Sequence, residues 1–242
     1  AAGLALVERA IAIDGRSPEY QNNAGLLLLR LGRVEEASAR FRRALMLDPG
    51  HGDAHLNLAG LALREGRPAE AVPHFQAVLK RHAERAEAHQ GLGAALLQLG
   101  RWREAADSLR AALRLRPPSA EILYNLANAL RELGEAVEAE TCYRRALALR
   151  PDFVEAHGNL ARALSDQGRI EEAERHYRRA AELRPNEPQA HFNLGLALAG
   201  LGRRDEAAAA FRKVLELHPG DSSAEEELKK LGKGGDGVEA PR

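Results

Sequence analysis

The chain is poor in the residues that most often announce chemistry. It holds one cysteine, Cys142, one tryptophan, Trp102, one methionine, Met46, and only 4% aromatic residues in 242. A single cysteine excludes an intramolecular disulfide and any cysteine-only zinc site, and leaves the redox compartment open. Charge of one sign is lacking too: 35 basic residues face 35 acidic ones. That balance argues against a dedicated binder of nucleic acid or acidic membrane, which normally carries a visible basic excess. No apolar run reaches the ~18 residues that would span a bilayer. The sequence opens on Ala1 with neither an initiator methionine nor a signal peptide, as expected of a processed chain or a piece of a longer one. What is present is 45% hydrophobic residues, enough for a real core.

A repeat dominates. Leu-Gly-Arg recurs at Leu31–Arg33, Leu99–Arg101 and Leu201–Arg203, separated by 68 and 102 residues, twice and three times 34. The period yields six copies between Pro18 and Asp221. Every copy has its glycine: Gly32, Gly66, Gly100, Gly134, Gly168 and Gly202. Five residues on comes an alanine (Ala37, Ala71, Ala105, Ala139, Ala173, Ala207), always preceded by glutamate. Four further on stands Phe41, Phe75, Leu109, Tyr143, Tyr177 or Phe211. Five copies close on proline, at Pro49, Pro117, Pro151, Pro185 and Pro219; the second has Ala83.

Each copy reads as two helices. In the fourth, Leu123, Leu126, Ala127, Leu130 and Leu133 recur at helical spacing with no internal Gly or Pro. Gly134 then accepts the left-handed backbone of a C-terminal cap. A second helix places Ala139, Tyr143, Ala146 and Leu147 on one side, and Pro151 prevents its continuation. So short a turn forces antiparallel packing, with alanine at the closest approach and the aromatic filling the adjacent hole. One such pair cannot bury its apolar faces alone, whereas stacked pairs bury them against each other. The second copy, lacking the helix-stopping proline, is expected to have the loosest exit.

The period and the ordered Leu-Gly/Ala, Gly, Ala, aromatic, Ala and Pro places closely resemble the tetratricopeptide repeat family over residues 18–221. The resemblance implies an all-α, right-handed superhelical solenoid of antiparallel helix pairs. It has six full repeats (18–51, 52–85, 86–119, 120–153, 154–187, 188–221), an N-terminal half repeat (1–17) and a capping helix (222–231). Where the family often has tryptophan early in helix A, this chain has Gln21, His55, His89, Leu123, His157 and His191. Residues 4–13 match a helix B whose helix A is missing, so Leu4, Val7, Ile11 and Ile13 would present apolar surface. End-to-end self-association is expected there. Glu225–Lys230 gives the other end a polar cap, and Gly232–Arg242 reads as a flexible glycine-rich tail.

Catalytic and cofactor motifs are sparse. Gly91-x-Gly93 lacks the third glycine of a dinucleotide fingerprint, and Gly232–Gly237 is not followed by Lys-Ser/Thr. Equivalent histidines of stacked pairs would lie ~10 Å apart, too far to share a metal, so packing is their expected role. Cys142 is read as inert packing. Arg42–Arg43, Arg144–Arg145 and Arg178–Arg179 fall on helix B, with Glu140 and Glu174 four residues before an arginine, which is ordinary helix support. No catalytic residue, metal or cofactor is assigned.

The family's helix A lines a concave groove, and the sixth residue of each copy falls on it: Asn23, Asn57, Gly91, Asn125, Asn159 and Asn193. Asparagine is a mediocre helix former, but its amide both donates and accepts. The column is similar to the asparagine ladder of O-linked N-acetylglucosamine transferase repeats. Such amides could grip an extended peptide, or could serve only contacts within the repeat. Leu26, Leu29, Leu56, Leu63 and Leu97 make the first half of the lining apolar; Tyr124, Asn128, Arg131 and Arg162 make the second polar. The lysines of the family's carboxylate clamp are absent from their places. The expected function is a non-enzymatic scaffold for a protein or peptide partner, without nucleic acid or membrane insertion. The alternatives are the substrate-docking part of a larger enzyme, such as a glycosyltransferase, and a self-assembling scaffold. The sequence names no compartment; a soluble, cytoplasmic setting is the reading favoured.

Overall fold

A computed structural model describes residues 15–233, together with Ala5, Arg9 and Ala12. The expected helix over residues 4–13, with Leu4, Val7, Ile11 and Ile13, lies outside this range apart from those three residues, as does the tail after Lys233. Helix A and helix B alternate through the six copies: α1 (Pro18–Arg30), α2 (Val34–Leu47), α3 (Gly52–Arg64), α4 (Pro68–Arg81), α5 (Ala86–Gln98), α6 (Trp102–Leu115), α7 (Ala120–Glu132), α8 (Ala136–Leu149), α9 (Val154–Asp166), α10 (Ile170–Leu183), α11 (Pro188–Gly200) and α12 (Arg204–Leu217). The cap, α13 (Ser222–Lys233), runs two residues past its expected end at Leu231 and takes Gly232 from the expected tail. Among the described residues there is no strand, and no helix long and apolar enough to cross a membrane.

The turn inside each pair is set by its glycine. All six have positive φ, from 69° to 79°. This is the left-handed region, which costs other L-residues about 1–2 kcal/mol. It lets two amides turn back on the helix end: Gly32 N–H reaches Leu29 O at 3.0 Å and Arg33 N–H reaches Leu28 O at 2.9 Å. The same two bonds recur at Gly66, Gly100, Gly134, Gly168 and Gly202, a Schellman motif each time. The residue after the glycine is the N-cap of helix B. Where it is arginine it pairs with the recurrent glutamate three places on: Arg33 with Glu36, Arg67 with Glu70, Arg101 with Glu104, Arg169 with Glu172 and Arg203 with Glu206. The glutamate thus lies in the first turn of its helix, where negative charge suits the dipole.

The recurrent alanines (Ala37, Ala71, Ala105, Ala139, Ala173, Ala207) are fully buried, as are Phe41, Leu109, Tyr143 and Phe211. Facing each aromatic is a small helix-A residue. A Cβ on Gly25 would lie 2.5 Å from Phe41 Cε1, and one on Gly195 2.7 Å from Phe211 Cε1, so glycine is what admits the ring.

The exit of helix B overturns the expectation for copy two. In five copies the C-cap amide bonds four residues back, and the amide three residues after the C-cap bonds to the C-cap carbonyl. Copy two does both without proline: His82 N–H to Val78 O at 2.9 Å, Arg85 N–H to His82 O at 3.1 Å. The irregular exit is that of copy three. Arg116 is extended (φ −149°, ψ 159°) and makes no cap bond, and the recurrent turn bond is missing at Ser119. The reason is the second proline. Pro117 occupies the turn's second place, where proline is favoured, but Pro118 occupies the third, where it drives its predecessor out of the helical region.

The compact units divide at this point, residues 1–118 and 119–242. In the first, α1–α6 stack as antiparallel pairs in chain order. In the second, α7–α12 do so, and α13 packs on α12. Each unit is a solenoid of helix pairs. Replacing Pro118 by the aspartate that copy four carries at Asp152 should restore the turn. The Ser119 amide should then become protected in hydrogen exchange, with global stability changed by no more than about 1 kcal/mol. A Ser119 amide that still exchanges as fast as in the unsubstituted protein would show that the second proline is not the cause.

Candidate functional site

On helix B, arginines are engaged by glutamates across successive repeats. Arg144 meets Glu140 and Glu172, each at 3.0 Å, while Arg169 meets Glu140 at 2.8 Å and Glu172 at 2.6 Å. One period later Arg178 and Arg203 meet Glu174 and Glu206 in the same closed square, at 2.7–3.3 Å. The expected pairs Glu140–Arg144 and Glu174–Arg178 are present, and each is half of a clamp between helix pairs. The hydrogen bonds from Arg169 and Arg144 hold the Glu172 carboxyl down at about 2. Burial would raise Glu140, but the same two arginines outweigh it and keep it below the usual carboxylate range. Single exposed pairs contribute little, and closed networks are the favourable case.

The helix-A histidines occupy one register. The Nε2 atoms of His55, His89, His157 and His191 lie 2.8–3.0 Å from the carbonyl oxygens of Pro49, Ala83, Pro151 and Pro185. A carbonyl only accepts, so Nε2 carries the proton and Nδ1 of the neutral ring is bare. In copies two and five that atom meets a second ring, 19 residues on: His74 Nδ1 at 2.8 Å from His55 Nδ1, and His176 Nδ1 at 3.0 Å from His157 Nδ1. His74 and His176 are therefore the donors. Gln21 and Arg40 fill the same two places in copy one, bonded at 3.2 Å. In copy three the second place is Ser108, and the buried His89 Nδ1 has no partner.

The asparagines of helix A divide by what the previous copy offers them. Asn57 Nδ2 donates at 2.8 Å to Oδ1 of the buried Asn22, and Asn159 Nδ2 donates to Tyr124 Oη at 3.1 Å and to Asn128 Oδ1 at 2.9 Å. Asn128 also accepts from Tyr143 Oη at 2.6 Å. Burial raises the Tyr143 hydroxyl to about 12, so it remains a donor. In both cases the acceptor lies 35 residues before the asparagine, at the fifth place of the preceding copy. Asn193 has Gly158 at that place, and instead accepts from Gln189 Nε2 at 2.9 Å within its own helix. Asn125 is half-buried and Asn23 exposed, and among the described residues neither has a hydrogen-bond partner for its side chain. The break in the column at Gly91 has a steric cause, since a Cβ there would lie 2.3 Å from Phe75 Cζ.

In the second unit a cavity of about 510 Å³ opens along α9–α11, lined by Tyr124, Gly158, Asn159, Arg162 and Asn193, with Tyr177, Arg184, Glu155, Glu187 and Gln189 among its other walls. That volume falls in the range of ligand pockets. Four expected site residues, Tyr124, Asn159, Arg162 and Asn193, are brought together here, and Asn128 joins through its bond to Asn159. Asn125 and Arg131 are not on its wall; Arg131 pairs with Glu132 at 2.6 Å. In the first unit Leu56 and Leu63 are half-buried on α3, beside Asn57 on the same helix. Tyr177, Arg184, Glu187 and Gln189 were not among the expected site residues: Tyr177 is the ring of its helix B, Gln189 stands at the second place of α11, and Arg184 and Glu187 belong to the turn preceding α11. Asn22, His74 and His176 could have been found by asking what lies 35 or 19 residues from the columns already recognised.

Two profiles described as tetratricopeptide repeat match the chain, one at residues 22–86, 61–120 and 159–222, the other at 118–186. They cover well over half of it, and the chain belongs to the tetratricopeptide repeat family. No curated protein matches the sequence significantly. Among solved structures, YrrB, described as a tetratricopeptide repeat protein with an unusual peptide-binding site, is 23% identical with a TM-score of 0.66, covering 78% of this chain and 97% of its own. MamA from Desulfovibrio magneticus RS-1 is 24% identical with a TM-score of 0.65 (71% and 97% covered). Pseudomonas aeruginosa pilF is 22% identical with a TM-score of 0.72 (91% and 100% covered). At these identities the likeness is one of fold.

Burial lowers His74, His157 and, to about 4, His176, and the neighbouring His55 and His157 add to it. Arg42 and Glu70 face His74; Arg144, Arg175 and Glu172 face His176; Arg179 faces His157. The unfolded chain therefore takes up protons first as pH falls through about 6.5. Stability should be level above that value and decline toward about 4, read as a falling urea midpoint between pH 7 and 5. His74→Gln with His176→Gln keeps a donor at each place and should flatten that decline; an unchanged slope would acquit the pairs.

The asparagines allow a second prediction. Asn57→Ala strands the buried Asn22 carbonyl and should cost about 1–3 kcal/mol in urea unfolding, whereas Asn125→Ala should stay within about 0.5 kcal/mol. Equal costs would contradict the division drawn above.

Proposed function

We propose that the chain is a non-enzymatic interaction module whose helix-A faces hold an extended segment of a partner protein. The observation that carries this reading is the contrast between its two faces. Along helix B, Glu140, Glu172, Arg144 and Arg169 close on each other in one square, and Glu174, Glu206, Arg178 and Arg203 in another. On helix A, by contrast, Asn125, Asn193 and Arg162 keep donors that no described group satisfies, and Asn193 and Arg162 line a cavity of about 510 Å³. Asparagine amides suit a peptide backbone because one side chain can serve both an N–H and a C=O. YrrB, a neighbour in fold described as having a peptide-binding site, supports the reading by analogy.

The test is a peptide selected on the full chain from a display library of random linear sequences, with affinity measured by calorimetry. Each amide–backbone hydrogen bond should contribute about 0.5–1.5 kcal/mol. Asn125→Ala with Asn193→Ala, both without acceptors in the stack, should weaken binding by about 5- to 150-fold. Circular dichroism must first show an unchanged fold. Unchanged affinity in the folded double variant would move recognition off the helix-A face.

A further inference from the structure

We propose that the facing rings of His55 and His74 form a binding site for copper(I), held in line between the two Nδ1 atoms and joining α3 to α4. The site is independent of the interaction reading above. A metal-ligating histidine normally gives its other ring N–H to a carbonyl or carboxylate, which fixes the tautomer and aims the bare nitrogen. His55 already has that support. Its Nε2–H donates to Pro49 O at 3.0 Å, so the Nδ1 lone pair faces the second ring. His74 Nδ1 lies 2.8 Å away, with the ring planes at 47°. Two imidazole nitrogens thus point at one shared proton.

A monovalent d10 cation asks for what that proton has, two nitrogen lone pairs in line. On binding, the proton of His74 Nδ1 moves to Nε2 of the same ring, and both Nδ1 lone pairs turn to the ion. No proton leaves the protein, nothing is oxidised or reduced, and the site gains one positive charge. A metal–imidazole bond is about 2 Å long, so the nitrogens must part from 2.8 Å to about 4 Å. His55 is pinned at Pro49, so the half-buried His74 makes the move. The ligand count selects the metal. Imidazole suits copper and zinc alike, but a zinc site normally takes at least three protein ligands. Among the described residues no group of three histidines, cysteines or carboxylates is placed to hold a metal. Two ligands in line are a coordination that copper(I) accepts.

Charge chooses between the two ring pairs. His74 faces one arginine, Arg42, and one glutamate, Glu70. In copy five Arg144 and Arg175 face His176 against the single Glu172, and Arg179 faces the buried His157. An added cation is opposed more strongly there, so copper(I) goes to His55 and His74. Copies three and six hold Ser108 and Ala210 at the second place, which leaves one ring in each.

The test is anaerobic titration of the full chain with copper(I) against a coloured copper(I) chelator, with X-ray absorption of the loaded protein. One equivalent should be retained, with two nitrogen neighbours. It should be lost in His55→Gln and in His74→Gln. It should be kept in His157→Gln with His176→Gln, and in Cys142→Ala, which removes the only thiol. Copper(I) should also raise the urea midpoint of the unsubstituted protein and leave that of His74→Gln where it was. The midpoints without metal show that each variant folds, and the absorption spectrum of the unsubstituted protein reads the ligands without any variant. No copper held against the chelator, sulfur among its neighbours, or an equivalent retained by folded His74→Gln would overturn the site.

Discussion

Everything in this molecule depends on a backbone that turns left once per repeat. Only at the glycine with φ near 70° can the chain close both Schellman bonds and start the next helix at once. That turn makes the pair antiparallel. The antiparallel pair brings Ala37 and its equivalents to zero exposure and sets the helix-B ring against a small residue of helix A. The turn also puts the N-cap arginine within reach of the first-turn glutamate. The ion squares of Arg169 and Arg203 therefore grow from the same turn as the core.

Features that repeat at one place were legible because a helix pair has few solutions at each position. Gly134 as a cap, Ala139 at the contact and Tyr143 in the hole each follow from local physics. What failed was the expectation that an exit without proline must be the loosest. Ala83 at the exit of copy two looks like a defect, yet Ala83–Glu84 makes the turn as well as Pro151–Asp152 does. Pro117–Pro118 looks like the stronger stop, yet its second ring prevents the turn. Partners that lie one repeat away were also hidden. Asn57 and Asn22 are 35 residues apart, and only the stacking register shows that the sixth place of one copy lies beside the fifth place of the copy before.

That register changes the meaning of the asparagine column. A column of identical residues suggests identical roles, but the role of each is decided by its neighbour in the preceding copy. Asn22 and Tyr124 are acceptors, and they turn Asn57 and Asn159 into ties between repeats. Along one helix register, Asn57 and Asn159 hold the stack, and Asn125 and Asn193 keep amide hydrogens that no described group takes. A buried acceptor such as Asn22 makes its tie costly to remove, because an unpaired buried carbonyl loses its hydration as well as its bond.

Gly158 follows from the same rule. In a helix interior glycine costs about 1 kcal/mol relative to alanine, and α9 contains it with no ring or backbone pressing against it. Gly25, Gly91, Gly93 and Gly195 are each explained by a side chain that leaves no room for a Cβ. Gly158 has no such explanation in packing. Its effect is on the face that the stack does not use: it removes the fifth-place side chain, releases Asn193 and leaves a polar cavity between Asn159 and Arg162. A residue that weakens its own helix and empties space beside unspent donors is best understood through what enters that space.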